Sequence, residues 1–249
     1  MNELSGRTAS EKKLVLAWQE RIGVRQDNYI GPASVVSTLV WLGVEGCWPA
    51  TLKIYGCPVI VCREILPIAA KSDRLSAYSN SLSGSFAYND GSGPASILYA
   101  DGKAERSVAC HYFDGKYPES VIFRRIDGSF GIARLRTLND LIGYPSGIRW
   151  AVGGMGLLDN YYPGAEGFKG AFSDVLRRTN HTVLGVKDGM VYLVYMANMT
   201  AGEVQAKAKV FAFDHAIMLD GGHIAAINGA ESFARINRAQ AQQYILQAR

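Results

Sequence analysis

The residues best suited to chemistry gather near the end of the chain, in AIMLDGGHIAAING, Ala216 to Gly229. Asp220 offers a carboxylate, Gly221-Gly222 a backbone that a ligand can approach closely, and His223 an imidazole that exchanges a proton near neutral pH. Aspartate and paired glycines disfavour strand interiors, so an apolar strand is expected to stop at Asp220 and turn there. Asp-Gly is also a common turn pair, and that plainer reading stands beside the chemical one. A second imidazole, His181, opens the apolar run HTVLGV, with Arg177-Arg178 and Asn180 before it and Thr182 after it. Either histidine could donate to a phosphate or shuttle a proton. His111 and His215 read as structural. Gly153-Gly154, in AVGGMGLL, and Gly84-Ser85, in LSGSF, could leave backbone N–H groups open to ligand oxygens. Tight packing explains the same glycines equally well.

Composition bounds what these residues can belong to. The chain has 249 residues, 48% of them hydrophobic and 19% charged, with a formal charge of +4. No apolar run approaches the ~18–20 residues of a membrane helix. The basic residues are scattered and no zinc-finger or RNP pattern accompanies them, so nucleic acid is not an expected partner. Cys47, Cys57, Cys62 and Cys110 form no CxxC pair and have no histidine at ligand spacing. No cofactor or metal is predicted, a divalent cation being left open, and Cys57 and Cys62 read as buried thiols. MNELSGRTASEKK lacks the apolar core of a secretory signal, so the expectation is a chain that is cytoplasmic at synthesis.

The elements that must position these groups are of two kinds. Up to about residue 48, Leu14, Leu16, Ala17, Trp18 and Ile22 lie near helical spacing, with Ser10 as N-cap and Gly23 as stop. Val35, Val36, Leu39, Val40 and Leu42 suggest a second helix. From Thr51 on, short apolar runs alternate with Gly, Asn, Asp and Ser. Two Asp-Gly pairs, Asp101-Gly102 and Asp188-Gly189, signal hairpins. TAGEVQAKAKVFAFD reads as a helix capped near Thr200, burying Val204, Ala208, Phe211 and Ala212, and QAQQYILQAR as a closing helix. The expected fold is therefore α+β: a β-rich mixed sheet over residues 49–249 and a small helical module over residues 1–48.

Two resemblances add to this. Trp18-Gln19, Ile22-Gly23-Val24, Asp27 and Ile30-Gly31-Pro32-Ala33-Ser34 resemble the peptidoglycan-binding repeat found beside cell-wall hydrolases, without its third helix. His181-Thr182-Val183-Leu184-Gly185, Lys187-Asp188-Gly189, a helix from Thr200, Met218-Leu219-Asp220-Gly221-Gly222-His223 and Asn228-Gly229 resemble in order the phosphodiester glycosidase family. Leu82 to Phe86 and Ala151 to Leu158 are similar to two of its upstream blocks. The resemblance covers roughly residues 60–230. It implies cleavage of a glycosidic bond in a sugar phosphodiester or a cell-wall glycan. Asp220, His223 and His181 would then be catalytic. Gly221, Gly222, Thr182, Asn180, Arg178, Gly153, Gly154, Gly84 and Ser85 would bind substrate.

The departures are specific. The family arginine is His181 here, its third glycine and serine are His223 and Ile224, and its upstream asparagine is Ser83. Either the substrate differs or Arg177 or Arg178 supplies the positive charge. A phosphate ester is already a good leaving group, so fewer carboxylates are needed than in most glycosidases. Asp159 and Glu166 are reserve carboxylates, and Tyr161-Tyr162 beside them could stack on a sugar. Two further readings stay open: a sugar or sugar-phosphate binding protein that has lost catalysis, and a structural phage tail or lysis component. Without a secretory signal, a wall-directed chain would be released as a phage or prophage product.

Overall fold

The computed structural model describes residues 8–21, 26–28, 30, 51–70, 81–83, 94–109, 116–168, 173–222, 225–227 and 243–248. Its helices are α1 (Ala9–Arg21) and α2 (Ala201–Phe211). The strands are β1 (Thr51–Ile54), β2 (Cys57–Cys62), β3 (Ile65–Ala70), β4 (Ser81–Ser83), β5 (Leu98–Ala100), β6 (Lys103–Arg106) and β7 (Glu119–Arg125). They continue with β8 (Phe130–Leu135), β9 (Ile148–Gly156), β10 (Thr179–Lys187), β11 (Met190–Met199), β12 (His215–Gly221), β13 (Ala226–Ile227) and β14 (Gln243–Ala248).

Ten strands form one sheet in the order β1-β2-β11-β10-β12-β9-β5-β6, with β7 paired to β9 and carrying β8; β13-β4-β14-β3 form a second. Every pairing among the described residues is antiparallel, where a mixed sheet was expected. The reason lies in α2. It crosses from β11 to β12, two strands that run the same way, but β10 stands between them and pairs with both. Asp101-Gly102 and Asp188-Gly189 turn their hairpins with positive φ at both residues, as primed turns require.

Alternation along the strands separates two layers of core. On one face Val204, Ala208 and Phe211 of α2 pack against Val183, Val194 and Met218. On the other, Ile65, Leu246 and Ala225 of the second-sheet region meet Leu184, Leu193, Ile217 and Val152. Cys57 and Cys62 are buried in β2. A Glu64 carboxylate at the corner between β2 and β3 accepts from the Trp150 indole at 2.5 Å and pairs with Arg124 at 2.6 Å and Arg149 at 2.9 Å.

Four local expectations need correction. QAQQYILQAR contributes β14, not a helix, because β3 pairs with it along its whole length and β4 pairs with Ile245 to Gln247 on the other edge; tertiary pairing outweighs the helix preference of Gln and Ala. The α1 cap is Thr8, which exchanges backbone-to-side-chain bonds with Glu11, rather than Ser10. Leu14 is 71% exposed and Ala17 is exposed, whereas polar Gln19 is the buried residue of α1. Ala212 is not on the buried face of α2: it is the exposed left-handed C-cap, and Ala201 takes its place in the core. The expected second helix over residues 35–42 lies outside the described residues.

At the centre of the large sheet β9 changes partners. Its one edge pairs with β7 from Ile148 to Gly154, while the other pairs with β5 up to Val152 and with β12 from Met155. At the split, Glu119 of β7 reaches across β9 and its Oε1 accepts the Ile97 N–H at 2.6 Å. It crosses over Gly153, where a Cβ would stand 2.2 Å from that oxygen and 3.0 Å from the Ile97 nitrogen. Any side chain at residue 153 would break the crossing. Gly153→Ala is therefore expected to destabilise by about 1–3 kcal/mol in urea unfolding. Gly202→Ala, in α2 where an added Cβ meets nothing within 4 Å, should instead be neutral or stabilise by up to about 1 kcal/mol.

Candidate functional site

β10 enters the sheet between two strands that both bulge beside its first residues. Against β11 the pairing steps from Thr179↔Met199 to His181↔Met196, leaving an extra residue on β11. Against β12 it steps from Val183↔Met218 to His181↔Gly221, leaving an extra residue on β12 at Leu219-Asp220. A bulge exposes backbone groups that the ladder no longer pairs, and it re-aims the residues around it. The short polar run before HTVLGV satisfies those groups. Asn180 Oδ1 accepts the Asn198 N–H at 3.1 Å, and the Asn180 carbonyl accepts the Gly222 N–H at 2.8 Å. Arg178 donates to the Asn198 carbonyl at 2.7 Å. Asn198 and Gly222 take positive φ, 54° and 66°, which asparagine and glycine tolerate.

Arg178 also pairs with Glu203 at 2.6 Å. Glu203 in turn closes the capping box of α2, accepting from the Thr200 backbone at 2.7 Å. These bonds hold the Glu203 carboxyl down at about 2, the Thr200 amide being the main cause and Arg178 the next. The arginine expected to meet substrate is thus engaged in fixing the bulge to the helix.

His181 lies in the middle of this frame, 1% exposed, on the α2 side of the sheet. Its Nε2 is 2.9 Å from the Met199 carbonyl. A carbonyl only accepts, so in the neutral ring Nε2 carries the proton and Nδ1 the lone pair. Nδ1 is buried and makes no hydrogen bond. Burial lowers the pKa of the ring, opposed by the backbone of Met199 and Arg177. A neutral imidazole with an unused acceptor can take a hydrogen bond or a proton. In the neutral ring the one N–H is directed to the Met199 carbonyl. Gly221 brings its backbone against this ring: a Cβ there would stand 3.3 Å from Nδ1.

Asp220 immediately precedes Gly221 in β12, inside the bulged stretch facing His181. Its side chain, together with Gly84, Ser85 and His223, lies outside the described residues. Thr182 is fully buried and opposes Tyr195, so it faces the second sheet, away from His181. Gly153 and Gly154 do not join the group either. The Gly153 N–H is spent on the Ile97 carbonyl at 2.8 Å, and Gly154 packs against the Met218 carbonyl. Gly222 likewise spends its N–H on Asn180. The glycines at 153 and 222 therefore serve packing and turning, and their amides are not open to an anion. Among the described residues no group of three or more His, Cys, Asp or Glu side chains is arranged to hold a metal ion, and no helix is long and apolar enough to cross a membrane.

A second polar cluster escaped the sequence reading except for its carboxylate. Glu166, Ser120 and Asn160 meet at the end of β9, with Glu166 1% exposed. The signal for it, a serine opening an apolar strand, is too common to single out.

No protein-family model matches the sequence, and no curated protein matches it. Among solved structures the chain is similar to the catalytic domain of zebrafish N-acetylglucosamine-1-phosphodiester alpha-N-acetylglucosaminidase, auto-inhibited by its pro-peptide. The TM-score is 0.55 at 15% identity, over 78% of each chain. A hypothetical protein from Synechocystis matches with TM-score 0.50 and 13% identity, over 78% of this chain and 60% of that one. The chain therefore shares its fold distantly with a glycosidase domain.

The Glu203 carboxyl ionises more readily folded than unfolded, so its contribution to stability is complete above the ordinary carboxylate range. It is lost as pH falls from about 4.5 towards about 2. Unfolding curves recorded across that window should show a shallower acid loss for Glu203→Gln than for the wild type.

Proposed function

We propose that this chain is a hydrolase that cleaves a glycosidic bond, in a sugar phosphodiester or in a bacterial cell-wall glycan, at the bulged end of β12. The observation that carries this reading is the orphaned Nδ1 of His181, held between two bulges beside Asp220-Gly221 at the end of β12. Buried acceptors are rarely left unpaired, and leaving one costs about 1–3 kcal/mol. The cost is understandable where a substrate or attacking water completes the bond. Asp220 acts as base for water or as stabiliser of the oxocarbenium-like centre, and His181 accepts from a sugar hydroxyl or from that water. The distant likeness to a glycosidase domain supports the same class of chemistry.

The N-terminal segment fits a wall-directed role. Gln19 clasps the following loop, donating to Asp27 Oδ1 at 2.8 Å and accepting from the Asp27 and Asn28 amides at 3.1 and 3.0 Å. These are the residues that carry the resemblance to a peptidoglycan-binding repeat. A second reading, recognition of a sugar without cleavage, is favoured by one feature: Arg178 is tied to Glu203 and so does not supply the charge that His181 lacks.

Sugar release from an N-acetylglucosamine phosphodiester and from a cell-wall preparation separates these readings. The expected result is turnover of one of them that falls at least ~100-fold in Asp220→Asn and in His181→Ala, measured well below each variant's own unfolding midpoint. Binding without turnover would establish the second reading. Neither binding nor turnover would reject the site.

A further inference from the structure

The loop that follows β9 is anchored at its ends by buried Leu157 and Phe168, and between them it is fastened by a buried acid. Glu166 sends Oε1 to the Ser120 hydroxyl, which donates at 2.5 Å, and Oε2 to the Gly156 N–H, which donates at 2.9 Å. Asn160 Nδ2 donates to the Ser120 oxygen at 2.8 Å, closing the group. Space for it exists because residue 156 is glycine: a Cβ would lie 2.4 Å from the Ser120 hydroxyl and 2.3 Å from the Asn160 carbonyl. The outside of the loop is held more lightly, by Arg134 donating to the Ala165 carbonyl at 3.3 Å and lying over the Tyr162 ring. Tyr162 is 54% exposed.

We infer that Glu166 is a proton-controlled latch, which clamps the tyrosine-bearing loop of residues 157–168 onto β7 and β9 when its carboxyl is neutral and loosens it when the carboxyl ionises. The groups facing it set this behaviour. From β8 comes Arg134, a cation outside hydrogen-bond contact with the carboxylate. From β7 comes the uncharged Ser120, while Glu119 next to it points to the opposite face and binds Ile97. Gly156 of β9 brings only its amide, and Asp159 in the intervening turn is exposed. Two donors and the nearby Arg134 favour the ionised form, but the carboxylate is taken out of water with no bonded cation and that desolvation outweighs them; the neutral acid keeps the Gly156 bond and shares its proton with the Ser120 oxygen 2.5 Å away. Burial raises its pKa from 4.5 to about 7, against the opposing bonds from Ser120 and Gly156 and the field of Arg134.

The direction follows from linkage. In the clamped state the acid holds its proton up to about pH 7, and in the released, hydrated state it loses it near the ordinary value. Release therefore becomes easier as pH rises through that interval and is constant above it. The opening equilibrium can change by at most on the order of a few hundredfold, since each unit of difference is a factor of ten. Nothing in this depends on the proposed hydrolysis.

Hydrogen exchange of the full chain, corrected for the intrinsic pH dependence of exchange, tests it. The hydrogen-bonded amides of Asn160, Tyr161, Ala165, Glu166 and Phe168 should lose about ten- to a hundredfold protection between pH 5 and pH 8, while those of the β10-β11 hairpin stay level. Glu166→Gln should remove the dependence. Ser120→Ala, which withdraws a donor from the carboxylate, should move the midpoint to higher pH. Unchanged loop protection in the wild type, a dependence that survives Glu166→Gln, an unmoved midpoint in Ser120→Ala, or equal loss across the whole chain would each overturn the latch.

Discussion

The fit of β10 between two bulged neighbours is the constraint on which the candidate site depends. Each bulge releases backbone groups from the ladder, and the residues leading into β10 take them up: Asn180 serves both sides and Arg178 the β11 side. His181 is what remains at the centre. It is oriented through Met199 and left with an acceptor that the surrounding backbone does not fill. Remove the bulges and the strands would close over this position with regular pairing. Keep them, and Gly221 at the end of β12 stands against a buried imidazole.

The centre of the sheet solves a related problem. Where β9 exchanges β5 for β12 the ladder is interrupted, and side chains stand in for the missing backbone. Glu119 caps Ile97 across Gly153, and Glu166 caps the last amide of β9. Glycine at 153 and 156 is the condition for both, because the polar groups occupy the space of a Cβ. For Glu166 burial raises the pKa, so the contact depends on its protonation state. The two sites thus share a principle, irregular strand pairing stabilised by polar side chains, although they lie on different stretches of the sheet.

Sequence alone made the local features legible. The two Asp-Gly hairpins and the helix begun by Thr200 depend on residues within a few positions of one another, and both kinds of element stand where their residues indicated. What depended on distant partners was hidden. β14 has helix-forming residues and becomes a strand only because β3 and β4 flank it. The bulges could not be seen, since nothing near Asn198 or Asp220 announces an extra residue, and so the engagement of Arg178 and the orientation of Thr182 were missed. The glycines of AVGGMGLL were visible as special, but whether they bared amides or admitted Glu119 was decided by β7, more than thirty residues earlier. The pairing of His181 with Gly221 depends on β10 and β12 lying side by side, which no spacing in the sequence shows.

The central claim is that His181 presents an unused Nδ1 acceptor to a sugar ligand. Nitrogen-15 NMR of the His181 ring, before and during titration with an N-acetylglucosamine phosphodiester and with peptidoglycan fragments, tests it most directly. The ring is expected to be protonated on Nε2 in the free protein, with the Nδ1 resonance moving as one of these ligands binds and the Nε2 resonance nearly still. A ring protonated on Nδ1, or a His181 signal that neither ligand moves, would contradict it.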